Sequence, residues 1–177
     1  MAANNIARWN GSAWSALGAG TSGKVSSLAV LPNGHLVAGG SFFSAGGSTV
    51  AYIAQWDGTG WSALGTGVNI NNVAALAVMP NGDLIAGGTF FAAGNVVVRS
   101  IARWDGTRWM PLGTGMGLPT VGSVATVMSL LVLPNGDLVA GGNFTTAGGL
   151  AADRVAIWNG SAWSALGSGM SGGNSPG

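Results

Sequence analysis

One motif, Trp-(Asn/Asp)-Gly-(Ser/Thr)-x-Trp, occurs four times in this chain, and its regular recurrence limits the folds that the chain can adopt. Between the copies lies a second unit, three times over, in which two apolar runs flank Pro-Asn-Gly-(His/Asp) and the second run ends in Gly-Gly. The chain is therefore a tandem repeat of about 48 residues. The paired tryptophans are Trp9 and Trp14, Trp56 and Trp61, Trp104 and Trp109, and Trp158 and Trp163.

Each repeat predicts four short strands, which we name A to D. Strands A and B flank the Pro-Asn-Gly turn, strand C ends in the first Trp of the motif, and strand D begins with the second. Asn-Gly tolerates positive φ, so we expect type I′ turns between A and B. No segment has helix caps or a 3.6-residue period, which predicts an all-β fold of antiparallel meanders. Strand A is expected at 25–31, 73–79 and 127–133, and strand B at 36–38, 84–86 and 138–140.

The order of the strands within a unit also follows from the residues. Strand A is apolar on both faces, with Leu28, Ala29, Val30 and Leu31 consecutive, as expected where both sides of a sheet are covered. Strand D of one unit contains Pro111, which suits an edge because proline cannot donate to a ladder. This places A innermost and D outermost, and a radial stack of such sheets is a β-propeller.

The repeat resembles a kelch-type propeller blade: an apolar strand ends in Gly-Gly, an aromatic residue follows, and a Trp opens the last strand. The segment from Ile101 to Gly113 is similar to the kelch-like repeats of bacterial surface proteins and fungal cortical polarity markers. Trp stands where kelch repeats usually have Tyr, and the two aromatic residues are closer together. The resemblance implies a propeller and no single activity.

The repeat units define the predicted organisation. Residues 1–18 form a half-blade made of a C–D hairpin, residues 19–65, 66–113 and 114–167 form three blades, and residues 168–177 form a flexible Gly/Ser-rich tail. Residues 9–18 are identical to 158–167. Closed propellers have four to eight blades, so we expect self-association into a ring, with a homodimer favoured. The ring has six blades if one hairpin per chain is redundant, or more if hairpins occupy part-blades.

Composition excludes several classes of function. Charged residues are 6 % of the chain and the net charge is +1, so the chain lacks the excess of positive charge that binds nucleic acid. No apolar run is long enough for membrane insertion, and residues 1–10 do not read as a signal peptide. There is no Cys for disulfides or metal. Scarce Lys, with polarity from Ser, Thr, Asn and Gly, favours an extracytoplasmic or cell-surface location of the parent protein.

No catalytic, cofactor-binding or metal-binding residues are predicted. The eight Trp are assigned to the structural core, although a carbohydrate-stacking platform is the alternative; both Trp of a pair are expected on one sheet face. His35, the only His, occupies the turn position of Asp83 and Asp137 in the other units, so we expect an exposed turn residue. The five Asp are too dispersed for a Ca²⁺ loop.

The loops are the best candidates for binding. The B–C and D–A loops lie on one side of an antiparallel meander, and here they differ in content, with about six extra residues near 117–125. The candidate ligand-facing residues are Ser44, Thr49, Asn95, Arg99, Thr146 and Arg154. The leading hypothesis is a non-enzymatic structural or binding scaffold with no cofactor. The alternatives are a carbohydrate-binding lectin that uses this loop face for a glycan, and a non-catalytic fragment of a larger secreted enzyme.

Overall fold

The computed structural model describes residues 3–69, 71–120 and 122–170. All regular elements among them are β-strands, and so no helix there is long and apolar enough to cross a membrane. In chain order the strands are β1 (Ala7–Trp9), β2 (Trp14–Ala16), β3 (Lys24–Val30), β4 (Leu36–Ser41), β5 (Ser44–Ala45), β6 (Ser48–Thr49), β7 (Ile53–Trp56), β8 (Trp61–Ala63), β9 (Asn72–Val78), β10 (Leu84–Thr89), β11 (Ala92–Ala93), β12 (Val96–Val97), β13 (Ile101–Trp104), β14 (Trp109–Pro111), β15 (Met116–Gly117), β16 (Thr126–Val132), β17 (Leu138–Asn143), β18 (Thr146–Ala147), β19 (Leu150–Ala151), β20 (Val155–Trp158) and β21 (Trp163–Ala165).

Three four-stranded antiparallel sheets form the blades of a β-propeller fold. Their strand orders are β3-β4-β7-β8, β9-β10-β13-β14 and β16-β17-β20-β21, and β1 and β2 form a separate hairpin before the first blade. These are the predicted strands A to D, with A and D at the two edges of each sheet. Pro111 lies in the edge strand β14, where no ladder bond is lost on its outer side.

The A–B turns differ from the predicted type I′ geometry. In the first blade the Gly34 N–H donates to the Leu31 carbonyl, and the Leu31 N–H donates to the His35 carbonyl, both at 2.9 Å. Gly34 has a φ of 83°, whereas Asn33 is not left-handed. This is a three-residue loop, a type I turn on Pro32 and Asn33 followed by a left-handed Gly. The prediction was wrong because it placed Asn-Gly, rather than Pro-Asn, at the centre of the turn.

The Gly-Gly pairs face a β-bulge. In the first blade Val25 pairs with Gly40 and Ser27 with Gly39, so one residue of β3 bulges out. The same register shift occurs in the other two blades. A Cβ on Gly39 would lie 2.5 Å from Cγ1 of Val73 in the next blade. Glycine is therefore required where two sheets approach closely.

The apolar core lies between the blades. Strand A of each blade contacts strand A of the next, so these strands line the inside of the stack. Three buried clusters fill the interfaces, one between the hairpin and the first blade and one between each pair of successive blades. Their largest fully buried members are Phe42, Phe90 and Phe144, which begin the three B–C loops.

The B–C loops fold as small hairpins that were not predicted. They are β5–β6, β11–β12 and β18–β19, and a residue of the D–A loop pairs with each: Thr21 with Ala45, Val68 with Ala93, and Met116 with Ala147. Both kinds of loop therefore lie on one side of the blades. Of the predicted 168–177 tail, residues 171–177 lie outside the described residues, as do residues 1–2 of the predicted half-blade and residue 121 of the longest D–A loop.

Candidate functional site

The two tryptophans of each motif form a pair across strands C and D. They are directly opposite in the ladder, which puts them on one sheet face as predicted, and their ring centroids are 5.3–5.5 Å apart in all four copies. The rings are tilted by about 50°, a geometry that favours aromatic packing.

In the three later motifs, the second Trp joins its blade to the unit before it. The Trp109 indole N–H donates to the Leu64 carbonyl at 3.0 Å. The ring of Trp104, its pair mate, lies over Gly65, and a Cβ on that glycine would be 3.0 Å from the ring. Gly65 has a φ of 57°, so a side chain there would also strain the backbone. The Leu-Gly that follows strand D is therefore the seat for the tryptophans of the next blade.

Trp9 and Trp14 depart from the predicted burial. Trp9 is 49 % exposed and Trp14 is 61 % exposed, whereas Trp61, Trp109 and Trp163 are at most 8 % exposed. The difference arises because no blade precedes the hairpin among the described residues. Together with Leu28 and Val30, which are also exposed, they define what we name the leading face.

At the opposite end of the stack, no described residue occupies the Leu-Gly seat. Leu166 is 47 % exposed, although Leu17, Leu64 and Leu112 at the same position are buried. A Cβ on Gly167 would meet nothing within 4 Å, and one on Gly141 nothing closer than 3.9 Å. We name this surface, with the exposed Leu131, the trailing face. Each of its residues has a counterpart in the first two blades that is covered by the next blade.

The leading face includes an apolar cleft. It has a volume of about 520 Å³ and lies between the N-terminal hairpin and the first blade. Its lining includes Trp9 and Trp14 from the hairpin and Leu28, Leu36 and Trp56 from the first blade. Arg8 and Asp57 bring one charge of each sign to the lining, and the remaining lining is mainly apolar, so the cleft suits apolar contact with another polypeptide.

The candidate loop residues lie in or beside the B–C loop of their own blade. Ser44 and Thr146 are half-buried, while Thr49, Asn95 and Arg99 are exposed. Arg154 has a φ of 65°, and its side chain donates to the Met170 carbonyl at 2.6 Å. The three loops share one hairpin conformation, although their side chains differ.

A second cleft, of about 570 Å³, lies on this loop side beside the long D–A loop. Phe91, Arg99, Leu118 and Val124 are among the residues that line it. Its wall is formed by the extra residues of the third unit. The arrangement provides an open, mainly apolar surface with one cation at its edge.

The C–D turns carry the clearest electrostatic effect. The Asp57 carboxylate accepts hydrogen bonds from the N–H groups of Gly60 and Thr59 and from the Thr59 hydroxyl, at 2.7–2.8 Å. These bonds, the one from Gly60 above all, lower the pKa of Asp57 to about 2. The Thr107 hydroxyl and nearby N–H groups lower the pKa of Asp105 in the same way. Asn10 and Asn159 form the same turn without a charge.

His35 departs in part from the predicted exposure. It is half-buried, and its Nδ1 has no hydrogen-bond partner among the described residues. In the other two blades the Asp at this position accepts a hydrogen bond from the turn Asn: Asn81 Nδ2 donates to Asp83 at 2.7 Å, and Asn135 Nδ2 donates to Asp137 at 2.8 Å. Among the residues that the structure describes, no three His, Asp or Glu side chains are grouped as metal ligands.

Sequence reasoning missed the seats. It read Leu-Gly only as the end of strand D, although the dipeptide follows the second Trp at the same distance in all four copies. That fixed spacing was the available signal. A residue that recurs in every unit, without an evident role within its own hairpin, indicates a contact between units.

Comparison with known proteins supports the fold. Residues 31–56 match the family model "Domain of unknown function (DUF5122) beta-propeller". No curated protein sequence matches the chain. Among solved structures, the chain is similar to the extracellular domain of a protein from B. thetaiotaomicron that is described as a one component system, with a TM-score of 0.53 and 13 % identity over 87 % of this chain. The match spans 18 % of that structure, and at this identity it shows the fold alone.

Proposed function

We propose that the chain is a non-enzymatic, kelch-like β-propeller repeat protein that serves as a structural or binding scaffold. In this proposal two copies join head to tail, with Trp9 and Trp14 of the leading face of each copy in the Leu166–Gly167 seat of the other, and close a homodimeric ring. The protein acts outside the cytoplasm. The scarcity of Lys and the extracellular domain of similar fold support that location.

One observation carries the proposal. The seat at Leu-Gly is filled by the tryptophans of the next unit three times along the chain, and no described residue fills the fourth seat, at Leu166 and Gly167. The pair without a seat, Trp9 and Trp14, lies at the other end. Head-to-tail docking therefore repeats an interface that the chain already makes within itself, and it buries apolar surface at both ends.

The size of the ring is consistent with propellers. Each chain supplies three blades and one hairpin, so two chains fill eight blade positions, with hairpins alone in two of them. This lies at the upper end of the four to eight blades that closed propellers have. The N-terminal hairpin keeps its place in such a ring, because it already docks on the first blade through the Trp61–Leu17 hydrogen bond.

Variants of the two faces test the proposal. Trp14→Ala removes the exposed indole of the leading face, and Leu166→Ser removes the apolar seat of the trailing face. Either change is expected to shift the chain from dimer to monomer, as followed by sedimentation velocity, while the far-UV spectrum stays that of a β-protein. Phe43→Ala is the matched control, since Phe43 is a large exposed aromatic residue on the loop side.

A mixture of the two variants tests the direction of the contact. The Trp14→Ala chain keeps its trailing face and the Leu166→Ser chain keeps its leading face, so one intact seam can form between them. We expect the mixture to regain dimer at high concentration. Variants that keep the dimer mass on their own, or a mixture that stays monomeric, would exclude head-to-tail pairing.

A further inference from the structure

Strand β1 has an open edge. Within the described residues it pairs only with β2, whereas its counterpart in the first blade, β7, pairs with both β8 and β4. The Asn10 N–H donates to the Ala13 carbonyl at 3.2 Å. Because bonded and non-bonded pairs alternate in an antiparallel ladder, Arg8 bonds to β2 and the main-chain groups of Ala7 and Trp9 point to the open edge.

The surface beside this edge lacks contacts that the later blades have. Leu28 is exposed, while Leu76 at the same position in the second blade is buried against the first. A Cβ on Gly82 would meet Cγ of Pro32, from the preceding A–B turn, at 3.1 Å. A Cβ on Gly34 would meet nothing within 4 Å. The missing neighbour of the first blade therefore has the outline of strands A and B with their Pro-Asn-Gly turn.

We propose that the open edge of β1 and the 520 Å³ cleft beside it bind a β-hairpin of the A–B type supplied by another polypeptide. Its chemical pattern is an apolar strand, Pro-Asn-Gly-x, and then Leu-(Val/Ile)-Ala-Gly-Gly. The inference rests on the proposed function in one respect, since it takes the N-terminal hairpin as a permanent half-blade of the ring.

The register of the added strand follows from the first blade. There Leu36 is opposite Trp56 and Ala38 is opposite Ala54. In the complex the Leu of the incoming strand B lies opposite Trp9, and its Ala lies opposite Ala7. The incoming strand A then covers Leu28, and its proline fills the space above Gly34. Main-chain bonds supply affinity and the apolar contacts supply selectivity, as in other strand additions.

A complete blade of a second copy does not fit this edge. In each blade strand B is bonded on both sides, as β17 is to β16 and β20. Its edges are therefore unavailable to β1, unless strand C of that blade first leaves. A hairpin that lacks strands C and D has a free edge on strand B and meets no such obstacle. The occupant is thus an isolated A–B segment rather than a second intact copy.

The experiment uses the full chain and a synthetic peptide with the sequence of residues 24–41. Titration calorimetry is expected to give one peptide per chain. Ala7→Pro removes an N–H that points to the open edge, so binding should weaken about tenfold, the effect of one main-chain hydrogen bond.

Two controls make the result specific. Ala16→Pro places proline on the outer edge of the same hairpin, at the position that Pro111 occupies in the second blade, and should leave binding unchanged. A peptide with Gly39→Val should not bind, because a Cβ there would lie 2.5 Å from a valine of the receiving blade, as it does for Val73 within the chain. Absence of peptide binding, equal binding by the Gly39→Val peptide, or an unaffected Ala7→Pro chain would overturn the proposal.

The outcome is separable from that of the proposed function. A chain that is dimeric without peptide and does not bind the peptide would overturn the acceptor site alone. A chain that is monomeric and binds the peptide at β1 would overturn the ring alone.

Discussion

The indole N–H of Trp61 donates a 2.8 Å hydrogen bond to the main-chain carbonyl of Leu17, 44 residues earlier in the chain. The same bond recurs from Trp109 to Leu64 and from Trp163 to Leu112. Each bond crosses from one blade position to the one before it. A single directed contact therefore fixes how every unit is seated on its neighbour, and it accounts for the invariable distance between the second Trp and Leu-Gly.

We expect Trp109→Ala to lower the free energy of unfolding by about 3–5 kcal/mol, the usual cost of truncating a buried aromatic residue. Trp109→Phe keeps most of the apolar volume and leaves the Leu64 carbonyl without its donor, so we expect a loss of about 1–3 kcal/mol. Chemical denaturation of both variants measures the difference. An unchanged free energy of unfolding in Trp109→Phe would mean that the hydrogen bond contributes nothing beyond packing.

Gly87→Ala should destabilise the chain by about 1–3 kcal/mol, a typical cost of overpacking. The new Cβ would lie 2.5 Å from Cγ1 of Val127 in the next blade. Gly141→Ala is the matched control: it makes the same change where the structure describes no following blade, and we expect an effect within about 0.5 kcal/mol. Thermal unfolding of the two variants provides the comparison, and equal destabilisation would contradict the blade contact.

The stability of the C–D turns should depend on pH through Asp57 and Asp105. Hydrogen bonds lower the pKa of Asp57 to about 2 in the folded chain, below an unfolded value of about 3.9. The stabilisation is therefore fully present above about pH 4 and is lost as the pH falls through the folded value. A double variant, Asp57→Asn and Asp105→Asn, keeps the turn that Asn10 forms and should show a smaller fall in melting temperature between pH 5 and about pH 2. An unchanged pH profile would assign the dependence to other groups.

His35→Asp should change the free energy of unfolding by no more than about 0.5 kcal/mol. An Asp at this position can accept a hydrogen bond from the turn Asn, as Asp83 does from Asn81. That gain is offset because the new carboxylate would repel Asp57, whose pKa His35 now lowers slightly. Chemical denaturation at neutral pH tests this, and a large loss would reveal a role for the imidazole that its surroundings do not indicate.

The strands and their order could be predicted because each repeat has apolar runs of strand length bounded by Gly and Pro. The two-residue strands of the B–C loops, such as Ser44–Ala45, could not, since two residues carry no periodicity. The A–B turn was misread because Pro32 fixes the first central position and moves Gly34 one place later. Neither the loop hairpins nor the turn geometry follows from the pattern of apolar runs that predicted the long strands.

The two end faces differ in a way that the sequence of a segment cannot predict. Residues 9–18 and 158–167 are identical, yet Trp14 is exposed and Trp163 is buried. The sequence of a segment cannot distinguish them, because the difference is set by whether a neighbouring blade covers the indole. The number of repeats indicated that two faces would be open, whereas the residues that form each face became evident only when the blades were stacked.

The native mass in solution decides whether two copies close head to tail into a ring. Multi-angle light scattering at several concentrations should give twice the chain mass of 17.4 kDa, with no growth to larger species, because a closed ring leaves no free end face. A stable, soluble monomer of 17.4 kDa at every concentration would contradict the account, since both apolar faces would then be tolerated in water.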